Sequence, residues 1–248
     1  DHRPARAYVL LGDPGAGKTF SFEAEAAACR GHYLRASAIE DDEPPVTPTD
    51  TVFIDGLDEV RAGTAGTGDA LARVVRWLRR SGTPRLRLSC READWRGAAD
   101  AQRLSALYPD LVELHLQPLT RDDMLALLPR WSSADPEQFL QRAERAERAG
   151  LLPLFGNPFL LKLTAKAVGA RGGGFLATRF DVYEAACRDL VREHNPEHQP
   201  GGSTEAILRD AGLLCALHLL AGCTLSVLPR PDTLDLRELP PELMGLAD

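Results

Sequence analysis

The sequence predicts an α/β fold in which a parallel sheet carries helices on both faces and a helical half follows it. Three observations predict this. Short apolar or β-branched runs alternate with helix-like segments up to Pro118, the order that builds a parallel sheet covered on both sides. A glycine-rich turn joins the first such run to the first helix. Beyond Pro118, helix-start signals recur and no strand-like run returns before Thr224–Leu228. The chain is therefore expected to divide into a core over 1–118 and a helical half over 119–248.

The elements follow in order. RAYVLL at Arg6 to Leu11 reads as a short buried strand, and the alanine-rich KTFSFEAEAAAC at Lys18 to Cys29 as a helix. His32 to Ile39 reads as a second strand. The acidic, proline-containing stretch from Glu40 to Asp50 reads as a surface loop. TVFID at Thr51 to Asp55 is β-branched and apolar, a third strand closed by an acid. Gly63 to Gly68 reads as a linker and Ala70 to Arg80 as an amphipathic helix. RLRLS at Arg85 to Ser89 and LVELHL at Leu111 to Leu116 complete the strands. In the second half, Thr120 with Asp123 three residues on marks a helix start. Asp135-Pro136 and Asn157-Pro158 each place a capping residue before a proline. Asp181 to His194 and Thr204 to Ala221 read as further helices. Arg171 to Gly174 reads as a flexible joint and Glu193 to Ser203 as a polar loop.

Composition narrows the class of function. The chain has 248 residues, 44% hydrophobic and 26% charged, which is ordinary for a globular protein. Acidic residues exceed basic ones by 36 to 29, a net charge of −7. That balance argues against a dedicated nucleic-acid binder, which needs a basic face to displace counterions. The five cysteines (Cys29, Cys90, Cys187, Cys215, Cys223) have no zinc-like spacing, and the apolar or helical contexts of four of them predict buried, reduced thiols. The longest apolar run, Ala211 to Thr224, is interrupted by His218 and is too short to span a bilayer. A cytoplasmic protein is expected. The start at Asp1, a few residues before the first motif, reads as that of a fragment of a longer chain.

Gly12-Asp13-Pro14-Gly15-Ala16-Gly17-Lys18-Thr19 matches the pattern GxxxxGK[ST] at every position. Glycines let backbone N–H groups curl around phosphate without side-chain obstruction. The helix that follows points its positive end at the same anion. Lys18 supplies a mobile cation for the β- and γ-phosphates, and Thr19 a hydroxyl ligand for Mg²⁺. Phe20 follows directly on the first helical turn. A strand before and a helix after the motif separate it from a chance glycine-rich turn.

Asp55-Gly56-Leu57-Asp58-Glu59 follows the third strand. A carboxylate closing a strand beside such a loop can serve the magnesium of a bound triphosphate, which assigns Asp55 to the metal side with Thr19. Hydrolysis also needs a group that orients or deprotonates water. Asp58 or Glu59 could do so. Glu59 extends further beyond the metal-side acid, but the two are not separable by spacing. Arg91 ends the fourth strand, at the sheet edge where ligands sit in doubly wound folds. It can sense or stabilise γ-phosphate charge, or it can be a surface arginine in a run that also holds Arg85, Arg87 and Arg96. Trp95 reads as a packing residue.

The set GDPGAGKT, FIDGLDE, LSCR, LQPLTRDDMLALL and GNPFLLKL resembles the NACHT-type STAND NTPases, with DGLDE the most specific piece. TRFDVYEAACRDLVREH resembles the helical region that follows in such proteins, so the similarity spans residues 7 to about 222. The resemblance implies an ASCE-type P-loop sheet in which the fourth strand lies between the first and the third. It implies ATP or ADP with Mg²⁺ held by Gly12, Asp13, Pro14, Gly15, Ala16, Gly17, Lys18, Thr19 and Phe20. Asp55 would act on magnesium, Asp58 or Glu59 on water, and Arg91 as the sensor arginine. Pro158 would match the lid proline that packs on adenine, although Asn157-Pro158 is also a plain helix cap. The implied activity is that of a slow ATPase switch in a larger signalling or antiviral-defence protein, with self-association through this module and an activating ligand that the chain does not name. A winged-helix domain, usual after the lid, looks incomplete over the last residues. Two other functions fit the phosphate loop: a P-loop kinase acting on a small acceptor, and a scaffold that holds nucleotide without hydrolysis. No guanine-reading NKxD motif occurs, which favours ATP over GTP.

Overall fold

The computed structural model describes residues 4–39, 46–63, 70–145, 152–170, 178–192 and 203–221. The expected strand at Thr224–Leu228, the joint at Arg171–Gly174, the polar loop over 193–202 and the winged-helix start lie outside the described residues.

Five strands, β1 (Ala7–Leu11), β2 (His32–Arg35), β3 (Thr51–Asp55), β4 (Arg85–Cys90) and β5 (Val112–His115), form one parallel sheet in the order β2-β3-β4-β1-β5. The fourth strand thus lies between the first and the third, as the resemblance implies. The two-residue period of a strand divides the side chains between two faces. Val9, Ile54, Leu86, Leu88 and Cys90 face one side, where they pack on Leu71, Val74 and Leu78 of α3 (Ala70–Arg80) and Leu104 of α4 (Ala98–Ser105). Tyr8, Leu10 and Phe53 face the other, against Phe22 and Ala26 of α1 (Lys18–Cys29). Phe22 meets Phe53 edge to face at 5.4 Å, the geometry the ring quadrupoles favour. Helices therefore cover both faces. Arg87 shares the α1 face at 3% exposure, its guanidinium 4.4 Å from the centre of the Tyr8 ring and its Nη1 donating to Ala5 O.

The remaining described helices are α2 (Leu57–Gly63), α5 (Arg121–Leu127), α6 (Pro136–Arg145), α7 (Pro158–Ala170), α8 (Arg179–Arg192) and α9 (Thr204–Ala221). A separate apolar cluster joins α5, α6, α7 and α8 through Met124, Phe139, Leu140, Phe155, Leu161 and Val182. Side chains cap these helices. Thr120 and Asp123 make a reciprocal capping box on α5, and Thr178 and Asp181 the same arrangement on α8. Asp135 Oδ1 accepts from Gln138 N at 2.8 Å at the start of α6.

Some local expectations are corrected. The second strand stops at Arg35, and Ala36–Ala38 form a 3₁₀ turn. Ala36 and Ile39 are buried three residues apart, a helical and not an extended spacing. Helix α2 begins within the acidic segment and ends at Gly63, where only a turn and a linker are expected. The thiols are mostly not buried: Cys29, Cys187 and Cys215 are exposed and Cys90 alone among the described cysteines is buried. Burial pushes the Cys90 thiol up to about 12. Trp95 does pack, at 9% exposure, and its Nε1 donates to Glu113 at 3.0 Å. No helix among the described residues is long and apolar enough to cross a membrane.

Candidate nucleotide site

The loop Gly12–Gly17 runs from the end of β1 into α1. Gly15 and Gly17 have φ of +77° and +97°, angles that side chains rarely adopt. At Gly15 a Cβ would also meet Phe159 Cβ at 2.7 Å, so both backbone angle and space require glycine there. Gly17 is the N-cap of α1 and offers no side chain to its N–H groups, and the first turn holds no acid. These unpaired donors and an uncompensated positive helix end suit an anion.

Lys18 curls back over the loop, its Nζ donating to Gly12 O at 2.7 Å and Asp13 O at 3.1 Å. Burial lowers its pKa; Asp58 and Asp55 act in the opposite sense, and Arg91 adds to the lowering. These four charged groups therefore share one electrostatic neighbourhood. Asp13, Pro14, Thr19 and Phe20 are exposed on the loop and first helical turn, Ala16 is partly covered, and Phe20 is 67% exposed.

Asp55 closes β3 at 8% exposure. Three hydroxyls converge on its carboxylate. Thr19 Oγ1 donates to Oδ2 at 2.7 Å and Tyr33 OH to the same oxygen at 2.9 Å. Ser89 Oγ donates to Oδ1 while accepting from Gly56 N at 3.0 Å. Burial, then the bond to Asp55, pushes Tyr33 up to about 12, so it keeps its proton as a donor. The pairing of Thr19 with Asp55 brings together the hydroxyl and carboxylate that a hard cation takes. Mg²⁺ commonly uses one or two carboxylates together with substrate phosphates, and these residues fit that pattern.

Asp58 and Glu59 sit in different surroundings. Asp58 is 6% exposed, and both its oxygens are engaged by Arg91: Oδ2 by Nε at 2.7 Å and Oδ1 by the backbone N at 3.1 Å. Glu59 is exposed and packs beside Gly56, where a Cβ would stand 3.2 Å from its Cδ. Arg91 is bound to Asp58 while its side chain remains 46% exposed. The segment after it is tied back to α2, since Arg61 pairs with the buried Asp100 at 2.8 Å and also donates to Asp94 O.

The helical half reaches the same loop. Asn157 Nδ2 donates to Pro14 O at 2.8 Å, and Phe159 N to Gly15 O at 3.3 Å. Asn157 Oδ1 at the same time caps α7 through Phe159 N at 3.0 Å. Pro158 Cγ stands 4.0 Å from a Cβ built on Gly17. Pro158 also lines a cavity of about 150 Å³ with Ala16, Leu116, Gln117, Pro118 and Pro153. A larger cavity, about 560 Å³, lies between α1 and the strand starts Thr51 and Arg85 and contains none of the motif residues.

The structure thus gathers the sequence-chosen residues at the carboxyl ends of β1, β3 and β4. Tyr33, Ser89 and Asn157 join them without having been chosen. Ser89 was legible in principle, because it precedes Arg91 by two on a strand expected beside the third. Tyr33 carries no local signal, and the sequence around Asn157 signals only a helix cap.

No family model and no curated protein matches the chain. Among solved structures, the chain is similar to the closed state of Hsp104 with ATPγS and FITC casein, with a TM-score of 0.45 and 15% identity, over 73% of this chain and 39% of that chain.

Proposed function

We propose that this chain is an ATP-binding, Mg²⁺-dependent switch module with slow hydrolysis, of the NACHT-type STAND kind, working within a larger signalling or defence protein. One observation carries it: Lys18, the Thr19–Asp55 pair, Glu59 and the Asp58–Arg91 pair stand at one sheet edge, around a loop whose helix end is left uncapped. Gly12 to Phe20 bind the phosphates, and Thr19 with Asp55 serves Mg²⁺, which when bound neutralises charge on the phosphate oxygens. Glu59 is the group that receives the proton of water, because its carboxylate is exposed whereas both Asp58 oxygens are held by Arg91. Asp58 aims Arg91 at the γ-phosphate. Residues 119–248 act as the lid and its continuation, with Pro158 against the base. The nucleotide state of this module governs self-association in the full protein.

The test is to purify the chain, identify co-purifying nucleotide, and follow phosphate release from ATP and Mg²⁺. Retained ADP with slow turnover, both abolished in folded Lys18→Ala, is the expected result. Phosphate delivered to an acceptor and not to water would favour a kinase; tight nucleotide without turnover would favour a scaffold. Undiminished ATP affinity in Lys18→Ala would overturn the phosphate-loop assignment itself.

A further inference from the structure

We propose that Tyr33 is a positioning residue for Asp55, holding its carboxylate in the orientation that Mg²⁺-nucleotide binding requires. This rests on the assignment of Asp55 to the metal side of the site. Tyr33 lies on β2 in register with Phe53, two residues before Asp55 on the neighbouring strand and on the same face. Its ring packs beside the cluster of Tyr8, Phe22 and Phe53, so the hydroxyl is carried to Asp55 on a rigid, supported arm. Only two side-chain torsions must be fixed, which keeps the ordering cost small.

An ionised carboxylate offers about four acceptor positions. Oδ2 has two donors, Thr19 and Tyr33, and Oδ1 has Ser89. Ser89 accepts from Gly56 N, which directs its own proton to Asp55. Thr19 is exposed on the nucleotide side, at the first turn of α1, and is the member of the trio able to give its oxygen to a cation. Tyr33 and Ser89 come from the sheet and stay in place. They hold the carboxylate against rotation while Thr19 responds to ligand. Hydrogen-bond partners of metal-side carboxylates commonly set metal affinity in this way.

The experiment is Tyr33→Phe, which keeps the ring and removes the hydroxyl. Binding of a fluorescent ATP analogue is titrated with MgCl₂ and, separately, measured in EDTA, with thermal melting recorded alongside. The expected result is that half-saturating Mg²⁺ rises roughly tenfold, the low end for outer partners of metal ligands, while EDTA binding and melting stay as in wild type. An unchanged Mg²⁺ requirement in Tyr33→Phe, beside a clear Mg²⁺ dependence in wild type, overturns the proposal. So does a parallel loss of EDTA binding and thermal stability, which marks a merely structural contact. A wild-type affinity that is indifferent to Mg²⁺ overturns the metal-side assignment of Asp55, and this proposal with it. Tyr33→Leu must reproduce the Mg²⁺ shift, since a role of the hydroxyl alone predicts the same loss for any side chain that lacks it.

Discussion

Two adjacent acids, Asp58 and Glu59, stand in different surroundings because one residue of helical rotation separates them. Asp58 is nearly enclosed and neutralised by a guanidinium and a backbone amide; Glu59 faces solvent. A carboxylate whose two oxygens already accept from an arginine side chain and a backbone amide has fewer lone pairs left to meet a water. Glu59→Gln should therefore retain nucleotide binding and lower phosphate release by about 10²- to 10⁴-fold, the usual weight of a general base. Single-turnover assays with ATP measure this, and undiminished turnover would move the role to Asp58. Asp58→Asn should act through Arg91. It removes the ion pair, so it should lower turnover about as much as Arg91→Ala does. The double variant should then be little worse than either single one, the signature of residues that act as a unit. Full additivity in that cycle would separate them. The spacing DGLDE names both acids alike; their burial and the Arg91 contact differ, and the Glu59→Gln assay tests which of them serves water.

Among the elements, helix starts divide into two kinds. α5 and α8 spend threonine and aspartate on their own N–H groups, whereas α1 leaves its first turn without side-chain cap or acid. α7 belongs to both kinds, because Asn157 caps it with Oδ1 and holds the loop Gly12–Gly17 with Nδ2. Asn157→Ser keeps a capping oxygen and is too short to reach Pro14. The expected loss is one hydrogen bond, about 1 kcal/mol or roughly fivefold in nucleotide affinity, with the melting temperature little changed. Isothermal titration with ADP checks it, and equal affinity would reduce the Asn157–Pro14 contact to packing. Longer helices were legible from sequence: α1, α3 and α9 have the expected bounds. The short ones were not. Helix α2 buries Leu57 and Val60 at a three-residue spacing, but the surrounding acids mask that pattern. In α4 the buried Asp100 is held by Arg61, a partner 39 positions away that no local window contains. The thiols on α1, α8 and α9 are exposed although their helical contexts predict burial, because helical context alone does not say which side of a helix meets solvent.

Across the whole molecule, the loop Gly12–Gly17 is hydrogen-bonded to the helical half. Apolar cores cover both faces of the sheet, and a separate one joins α5, α6, α7 and α8. The described bonds from α7 to the loop are Asn157 to Pro14 and Phe159 to Gly15, both ending on loop carbonyls. A ligand that orders this loop is therefore expected to order the start of α7 as well. Anything that binds the native state alone stabilises it by mass action, about 2.7 kcal/mol at a hundredfold excess over Kd. The gain should appear on both sides of the junction. Hydrogen exchange followed by mass spectrometry, with and without ADP and Mg²⁺, tests this: protection is expected in the loop, in the first turn of α1 and at the start of α7 around Phe159 and Leu160. In Asn157→Ser the α7 component should shrink while the α1 component persists, because the side-chain bond to Pro14 is gone and the phosphates still meet the α1 N–H groups. Protection confined to α1 in the wild type would show that the helical half does not respond to phosphate occupancy. A switch that moves its lid would then need another connection, and the cavity lined by Pro158 would be the next contact to probe, by substitution of Gln117 and Pro153.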